Sequence, residues 1–386
     1  MQTIDNLDIG GAQEVVHTLV KYLKTDCTPI VCTFKDGPLR QTIEALGVPV
    51  EVLPQRRHSI VKFPLFMMDM IRIWRSLAAL VNQYQVDIIQ THLLRVLDFI
   101  FVPLLYTTKL RGVYWTFHNA QFELAPEQVP DSAFGLLTAR RYAYRLLYRM
   151  AARLVSGFVA VSDEVKNSMV RIIGPIQDQV TVICNGVDTE RYEKHADRSA
   201  IRQSIGVPQD AYLIIVLATL KKQKGHCYFV QAMRTLVSNH PHVHTIFVGD
   251  GPLRADIEKQ IADLGLGDHI HLLGSRHDVP DLLAASDLFV LPSLWEGLAM
   301  ALLEGMATGL PIVASEVSGT VQVIVPGESG ILLPPGNPTA LVEAIEGLIL
   351  NPNQAKALSQ GAKERVQAFS ARKQANEHIE LFQQTR

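Results

Sequence analysis

Short apolar runs alternate along most of the chain with stretches in which apolar positions recur every third or fourth residue. The short runs are rich in Val, Ile, Phe and Tyr and end near Gly, Pro, Asn or Asp, the pattern of buried strands. The longer periodic stretches read as helices. One series of predicted strands covers 29–34, 86–92, 112–117, 157–162 and 179–185. A second covers 211–220, 244–250, 269–274, 287–293 and 311–315. Strands that alternate with helices build parallel sheets from βαβ units. Two such series predict an α/β protein of two Rossmann-like, doubly wound domains.

The expected boundaries give an N-terminal domain over 1–187, a second domain over 188–365 and a C-terminal helix over 366–386. The polar stretch 188–210 has the composition of an interdomain connection. The last helix carries a modest stripe of Val366, Phe369, His378 and Phe382 and is expected to pack back across the domains. The opening MQTIDNLDIGGAQ reaches a glycine turn so soon that the first strand is expected to be very short or already under way at residue 1.

Composition narrows the possibilities. A chain of 386 residues with 48% apolar and only 19% charged residues has material for two cores and excludes intrinsic disorder. Its 36 basic and 38 acidic residues leave a net charge of -2, which argues against a general nucleic-acid partner. Cys27, Cys32, Cys184 and Cys227 show no zinc spacing and are too few for a disulfide scaffold. A reducing, cytoplasmic location is expected, with the inner face of the cell membrane left open. No signal peptide opens the chain, and no apolar run reaches the ~18–20 residues of a bilayer crossing. The nearest run, 96–106, is short and contains Asp98.

Chemistry concentrates in LFVLPSLWEGLAMALLEGMATGLPIVAS (288–315), a buried strand ended by Pro292 and followed by a helix expected to begin near Gly297. In an open parallel sheet, ligands gather at the carboxyl ends of strands, where the next helix offers free N–H groups to phosphate. Glu296 stands at that mouth, and Glu304 follows eight residues later in an apolar helix. Eight helical residues span roughly 12 Å, the reach from a sugar across a pyrophosphate to a ribose. The pair suits the two ends of a nucleotide-sugar; the alternative is a capping Glu and a second Glu that reaches the surface. Lys221, Lys222 and Lys224 follow the first strand of the second series and suit a pyrophosphate, or else are solvated loop lysines. Gly249 and Gly251 form a strand–turn–helix signal that is weak alone. Gly10 and Gly11 precede a helix and permit close approach of a phosphate, or form a plain loop. Asp-x-Asp is absent, so no metal site is expected. Among thirteen scattered histidines, His118 in WTFHN is the candidate to act, with a structural role as its alternative.

In order, these pieces resemble glycosyltransferase family 4, retaining transferases with the GT-B fold, over essentially the whole chain. The residues that carry the resemblance are DIGGAQ (8–13), TFHN (116–119), AVSDEV (160–165), VICNGVD (182–188), KKQKGH (221–226), VGDGPL (248–253), 292–315 and GESGILLPPGN (327–337). The resemblance implies two domains facing a central cleft. It implies that Glu296 binds donor sugar hydroxyls and Glu304 the ribose, while amides of Gly297, Leu298 and Ala299 meet the phosphates. Lys224 with Lys221 would neutralise the leaving diphosphate. Gly249 would belong to the donor site, Gly11 would contact the donor phosphate or the acceptor, and His118 would sit beside the transferred sugar. Two positions depart from the family pattern: Thr219, where many members carry Arg, and Gln322, where Glu is frequent.

The implied reaction transfers a sugar from a nucleoside diphosphate sugar, UDP before GDP, to a glycan or lipid-linked acceptor. It proceeds with retention and needs no cofactor. The alternatives are a nucleotide-sugar epimerase and a non-catalytic subunit of a polysaccharide-assembly complex. One pattern lies outside these motifs. Arg141, Arg145, Arg149 and Arg153 recur every four residues in 136–155, and Lys62, Arg72 and Arg75 interrupt the apolar 58–80. On a helix the four arginines form one stripe, which reads either as a contact with an anionic membrane or as a solvated face.

Overall fold

The apolar runs become parallel strands, as their alternation with helices requires, in the computed structural model, which describes residues 1–8, 10–54, 63–92, 95–118, 145–174, 176–193 and 197–385. Two units divide the chain: Met1–Asn185 with Arg372–Arg386, and Gly186–Ala371.

The first unit is built on β1 (Gln2–Asn6), β2 (Val31–Lys35), β3 (Val50–Val52), β4 (Ile88–His92), β5 (Gly112–Phe117), β6 (Gly157–Ala160) and β7 (Val180–Val182), in the spatial order β3-β2-β1-β4-β5-β6-β7. The first strand is neither vestigial nor marginal. It has five residues and sits inside the sheet between β2 and β4, with Gln2 in register with both Val31 and Gln90. Strands so placed are buried on both faces, which is why β5 and β6 read as continuous apolar runs. The buried polar side chains of these strands include Gln2, Gln90, His92 and Thr116. The helix Ala371–Gln383 lies over them: Tyr114 Oη is 2.7 Å from Thr385 Oγ1, Arg111 donates to Thr385 O at 2.8 Å, and Tyr114 and Phe382 rings pack 5.7 Å apart.

The second unit follows with β8 (Tyr212–Leu217), β9 (Val243–Val248), β10 (Ile270–Gly274), β11 (Leu288–Leu291), β12 (Ile312–Ser315) and β13 (Ile331–Leu333), in the order β10-β9-β8-β11-β12-β13. Its core joins Val216, Phe229, Met233, Phe247, Val290 and Ile345. The strands β3 and β13, three residues each, are absent from the two predicted series.

Two stretches differ from expectation. The polar segment 188–210 belongs to the second unit, where it forms the 3-10 turn Thr189–Tyr192 and the helix Arg198–Ser204. Its anchor is Arg202, a buried guanidinium that donates to Ala285 O, Gln209 O, Ala211 O and Asp287 Oδ2 at 2.7–3.0 Å. The expected last helix is broken. Helix Pro352–Val366 ends in a 3-10 turn, Gln367–Phe369, and Val187 N donates to Phe369 O at 2.9 Å. Val366 and Phe369 therefore pack in the second unit and His378 in the first.

Replacing Arg202 with Leu strips three carbonyls and the Asp287 carboxylate of a buried charged partner. The expected cost is about 3 kcal/mol, read as a lower denaturant midpoint for the chain without a rise in slope.

Candidate active site

In the second unit the strand order reverses between β8, the first strand, and β11, the fourth. Helices before and after such a point pass on opposite faces, so the loops at the carboxyl ends of β8 and β11 diverge and leave a crevice. The loop after β8 carries Lys221, Lys222 and Lys224, and that after β11 carries Ser293 and Glu296. Lys224 Nζ stands 2.5 Å from Glu296 Oε1. Ser293 Oγ donates to the same oxygen at 2.6 Å, and Gln223 Nε2 reaches Oε2 at 3.4 Å. Glu296 is only 6% exposed, so these donors replace the water its charge has lost.

Backbone contacts hold the two loops in this position. Leu294 N donates to Gln223 O at 2.7 Å, and Gln223 Nε2 donates to Trp295 O at 2.8 Å. Gly225 has φ +65 and opens the helix His226–Asn239; a Cβ there would collide with the carbonyl oxygen of Pro292. Glycine is thus required both by backbone conformation and by the approach of the neighbouring loop. Gly249 (φ +136) ends β9 under the same kind of constraint, against the carbonyl of Ala218. Leu220 N then donates to Asp250 O at 3.1 Å, which ties the β9 turn to the lysine loop.

The helix after β11 begins at Met300, three residues later than expected. Ala299 is its extended N-cap, and Gly297 and Leu298 form the approach to it. The separation of Glu296 from Glu304 is helical only over its second half, so a straight span of ~12 Å does not describe the pair. Glu304 is buried in the helix Met300–Thr308. Lys221 and Lys222 are exposed. Sequence reasoning missed Ser293 and Gln223 as the groups that hold Glu296, although both lie inside stretches it had singled out.

In the first unit the order reverses between β1 and β4. Gly10 is the N-cap of the helix Gly11–Leu23, and a Cβ at Gly11 would meet nothing within 4 Å, so packing within the chain does not demand glycine there. Asn6 Oδ1 fixes the turn by accepting from Asp8 N at 3.1 Å and Gln13 Nε2 at 2.9 Å. His118 follows β5, and its Nε2 lies 3.0 Å from Nδ1 of His92 at the end of β4. Burial, with the His378 ring second, holds the pKa of His118 down to about 4. His92 escaped notice because it closes a strand that otherwise reads as core; a polar residue at the carboxyl end of such a strand was the available signal.

Two arginines of the basic stripe also bond within the chain, while Arg149 and Arg153 are exposed. Arg145 donates to Ile172 O and Arg171 O at 2.8 and 3.0 Å, and Arg149 donates to Ile173 O. These are the last carbonyls of the helix Asp163–Ile173, which have no intrahelical partner. Arg141 and Lys62 lie outside the described residues. Among the described residues, no helix is long and apolar enough to cross a membrane, and no group of three His, Cys, Asp or Glu side chains is placed to hold a metal.

Comparison with known proteins agrees with this architecture. Residues 9–191 match the sequence model of Glycosyltransferase Family 4, and residues 197–365 match that of Glycosyl transferases group 1. The UDP-Gal:alpha-D-GlcNAc-diphosphoundecaprenol alpha-1,3-galactosyltransferase of Escherichia coli is 31% identical over 194 residues, 48% of this chain and 50% of the relative. The lipopolysaccharide core biosynthesis mannosyltransferase LpsB of Rhizobium meliloti is 30% identical over 203 residues, 50% of this chain and 58% of the relative. The chain thus spans about half the length of the curated relatives it matches. Among solved structures, Anabaena Alr3699/HepE with UDP-glucose superposes with a TM-score of 0.82 at 22% identity over 99% of both chains. WaaG, a glycosyltransferase involved in lipopolysaccharide biosynthesis, gives 0.75 at 16% identity over 100% of both. At these identities the likeness concerns the fold, which is GT-B.

The buried histidines set a pH dependence of stability. Burial lowers His118, His378 and His226 from 6.5 to about 4 each. Above pH 6.5 they are neutral whether the chain is folded or not. Below it the unfolded chain binds protons that the folded chain does not, so stability falls as the pH drops from 6.5 towards 4. Calorimetry between pH 7.5 and 4.5 is expected to show Tm falling steadily below pH 6.5; a flat profile would contradict the neutral assignment.

Proposed function

The chain belongs to glycosyltransferase family 4, and from that premise we propose that it transfers a sugar from a nucleoside diphosphate sugar to an acceptor hydroxyl with retention of configuration. The observation that carries this reading is the meeting of Lys224 and Glu296 at the strand-order reversal of the second sheet, ahead of the helix that buries Glu304. In the proposed complex Glu296 takes sugar hydroxyls, Glu304 takes the ribose, and the amides of Gly297, Leu298 and Ala299 meet the phosphates. A leaving diphosphate gains negative charge as its bond to the sugar breaks. A lysine poised beside that charge lowers the transition state more than the ground state. Lys221 joins Lys224 in this role, Gly249 lines the donor site, Gly11 faces donor phosphate or acceptor, and His118 sits beside the transferred sugar.

Glu296 has a second effect. Paired with it, Lys224 is neutralised and oriented before any donor arrives, so no lone cation is left in a partly buried place. A diphosphate then competes for an ammonium already in position, while Ser293 and Gln223 keep hold of the carboxylate.

We assign UDP ahead of GDP, because the E. coli relative is named for UDP-Gal and the Anabaena structure holds UDP-glucose. A lipid-linked or glycan acceptor is proposed on the same ground, from the diphosphoundecaprenol and lipopolysaccharide named in the relatives. Metal independence is part of the proposal. A screen of nucleotide-sugars for slow acceptor-free hydrolysis, read as released UDP or GDP, is expected to find one donor whose turnover survives excess EDTA. Loss of turnover restored by magnesium or manganese would overturn the lysine-based phosphate site, and nucleotide binding with no turnover of any donor or acceptor would overturn the enzyme.

The two carboxylates separate under mutation. Glu304→Ala is expected to weaken UDP binding by about 1.5–3 kcal/mol, the worth of a charge-assisted hydrogen bond. Glu296→Ala is expected to slow transfer with a smaller effect on UDP affinity. Equal losses of UDP affinity, measured by calorimetric titration, would reverse the assignment.

A further inference from the structure

The first unit holds a buried polar layer that the donor-binding residues do not explain. Side chains two apart on a strand share a face, and parallel register aligns the neighbours. Gln2 on β1, Gln90 and His92 on β4, Thr116 on β5 and His118 beyond it thereby come together beneath the helix Ala371–Gln383. His92 is 1% exposed and uses both ring nitrogens: Nε2 lies 2.7 Å from Gln2 Oε1, and Nδ1 lies 3.0 Å from His118 Nε2.

With both rings neutral, those two contacts assign the ring protons of His92 and His118. An amide oxygen only accepts, so Nε2 of His92 carries the hydrogen. Burial drives His92 well below its ordinary pKa, so the ring is neutral and its Nδ1 is bare. A bare nitrogen must accept, and His118 Nε2–H is the donor. His118 is neutral as well, which leaves its own Nδ1 without a proton. The branch through Gln90 obeys the same logic. Gln90 Nε2 donates to Thr116 Oγ1 at 2.6 Å and to His378 Nε2 at 3.0 Å, while His378 Nδ1–H donates to Gln374 O at 2.8 Å.

We propose that His92, clamped by Gln2, is the positioning residue of His118, and that it holds His118 in the Nε2–H tautomer so that a proton-free Nδ1 accepts a hydrogen bond from a hydroxyl of the sugar substrate. This rests on the reading of His118 as a residue beside the transferred sugar. A free imidazole interconverts its tautomers readily; here the choice is made two side chains away, before substrate binds. The acceptor nitrogen favours a ligand that brings a hydroxyl and disfavours one that presents only an acceptor at that point.

The test is tautomer-sensitive long-range 1H–15N NMR on the full chain labelled with 15N-histidine, at pH 7 and without substrate. His118→Gln identifies the His118 signals. The wild-type protein is expected to show His118 protonated at Nε2. In His92→Phe, which removes the acceptor, His118 is expected to become a mixture of tautomers, with donor hydrolysis about tenfold slower, the loss of one neutral hydrogen bond, and unchanged affinity for UDP. His92→Asn keeps an amide oxygen for the same N–H and is expected to restore the Nε2–H tautomer and most of the rate. His118 protonated at Nδ1 in the wild-type protein, or an Nε2–H population that His92→Phe does not alter, would overturn the proposal. Expected tautomers throughout, with His118→Ala hydrolysing donor at the wild-type rate, would instead overturn its premise, the contact of His118 with the sugar.

Discussion

A parallel sheet whose winding reverses has to leave a gap at the carboxyl edge, because the loops on either side of the reversal turn to opposite faces. The chemistry of the second unit depends on how that gap is kept narrow. The lysine loop after β8 and the glutamate loop after β11 are drawn together by the missing side chain of Gly225 against Pro292, and by the double use of Gln223 as backbone acceptor and side-chain donor. With the loops so close Lys224 and Glu296 share a hydrogen bond, and that bond, with those from Ser293 and Gln223 to the carboxylate, offsets the scarcity of water there. Conformation, packing and electrostatics at this point cannot be altered separately.

The first unit meets the same topological demand with different chemistry. Its reversal falls between β1 and β4, and the buried polar side chains there are amides and imidazoles rather than a salt bridge. Depth accounts for the difference. Lys224 keeps 18% of its side chain in contact with solvent and retains its partner's opposite charge, whereas His92 and His118 are enclosed with no carboxylate bonded to them among the contacts described. There a proton would be unshielded, and the network settles instead into neutral, directional hydrogen bonds.

The division into two doubly wound halves was legible because buried parallel strands such as Gly112–Phe117 and Leu288–Leu291 are nearly pure apolar runs. Glu296, Glu304 and Lys224 stood out as candidates for the complementary reason: charged residues beside such runs demand an explanation. What stayed hidden was pairing. That Lys224 meets Glu296 depends on strand order, and strand order is not written in local pattern. Arg202 lay in a segment too polar to suggest burial, and three of its four partners are carbonyls, which every sequence supplies alike. Arg145 and Arg149 have a regular spacing that suggested a surface stripe, and it gave no sign that both also donate to the last carbonyls of a helix. The helix start slipped from Gly297 to Met300 because a glycine followed by an extended Ala299 postpones helical geometry.

The return of Arg372–Arg386 to the first unit has a consequence for biosynthesis. The ribosome completes residues 1–185 early, yet the face of that sheet carrying Gln90, Tyr114 and Thr116 is covered by His378, Phe382 and Thr385, which are made only after all of Gly186–Ala371. At about 5–20 residues per second the wait is on the order of ten seconds or more. During that interval Gln90 can keep its bond to Thr116 but has no His378 to meet, and the Tyr114 ring has neither Phe382 nor Thr385 beside it. That face of the earlier half can be completed only when the last residues of the later one have been made.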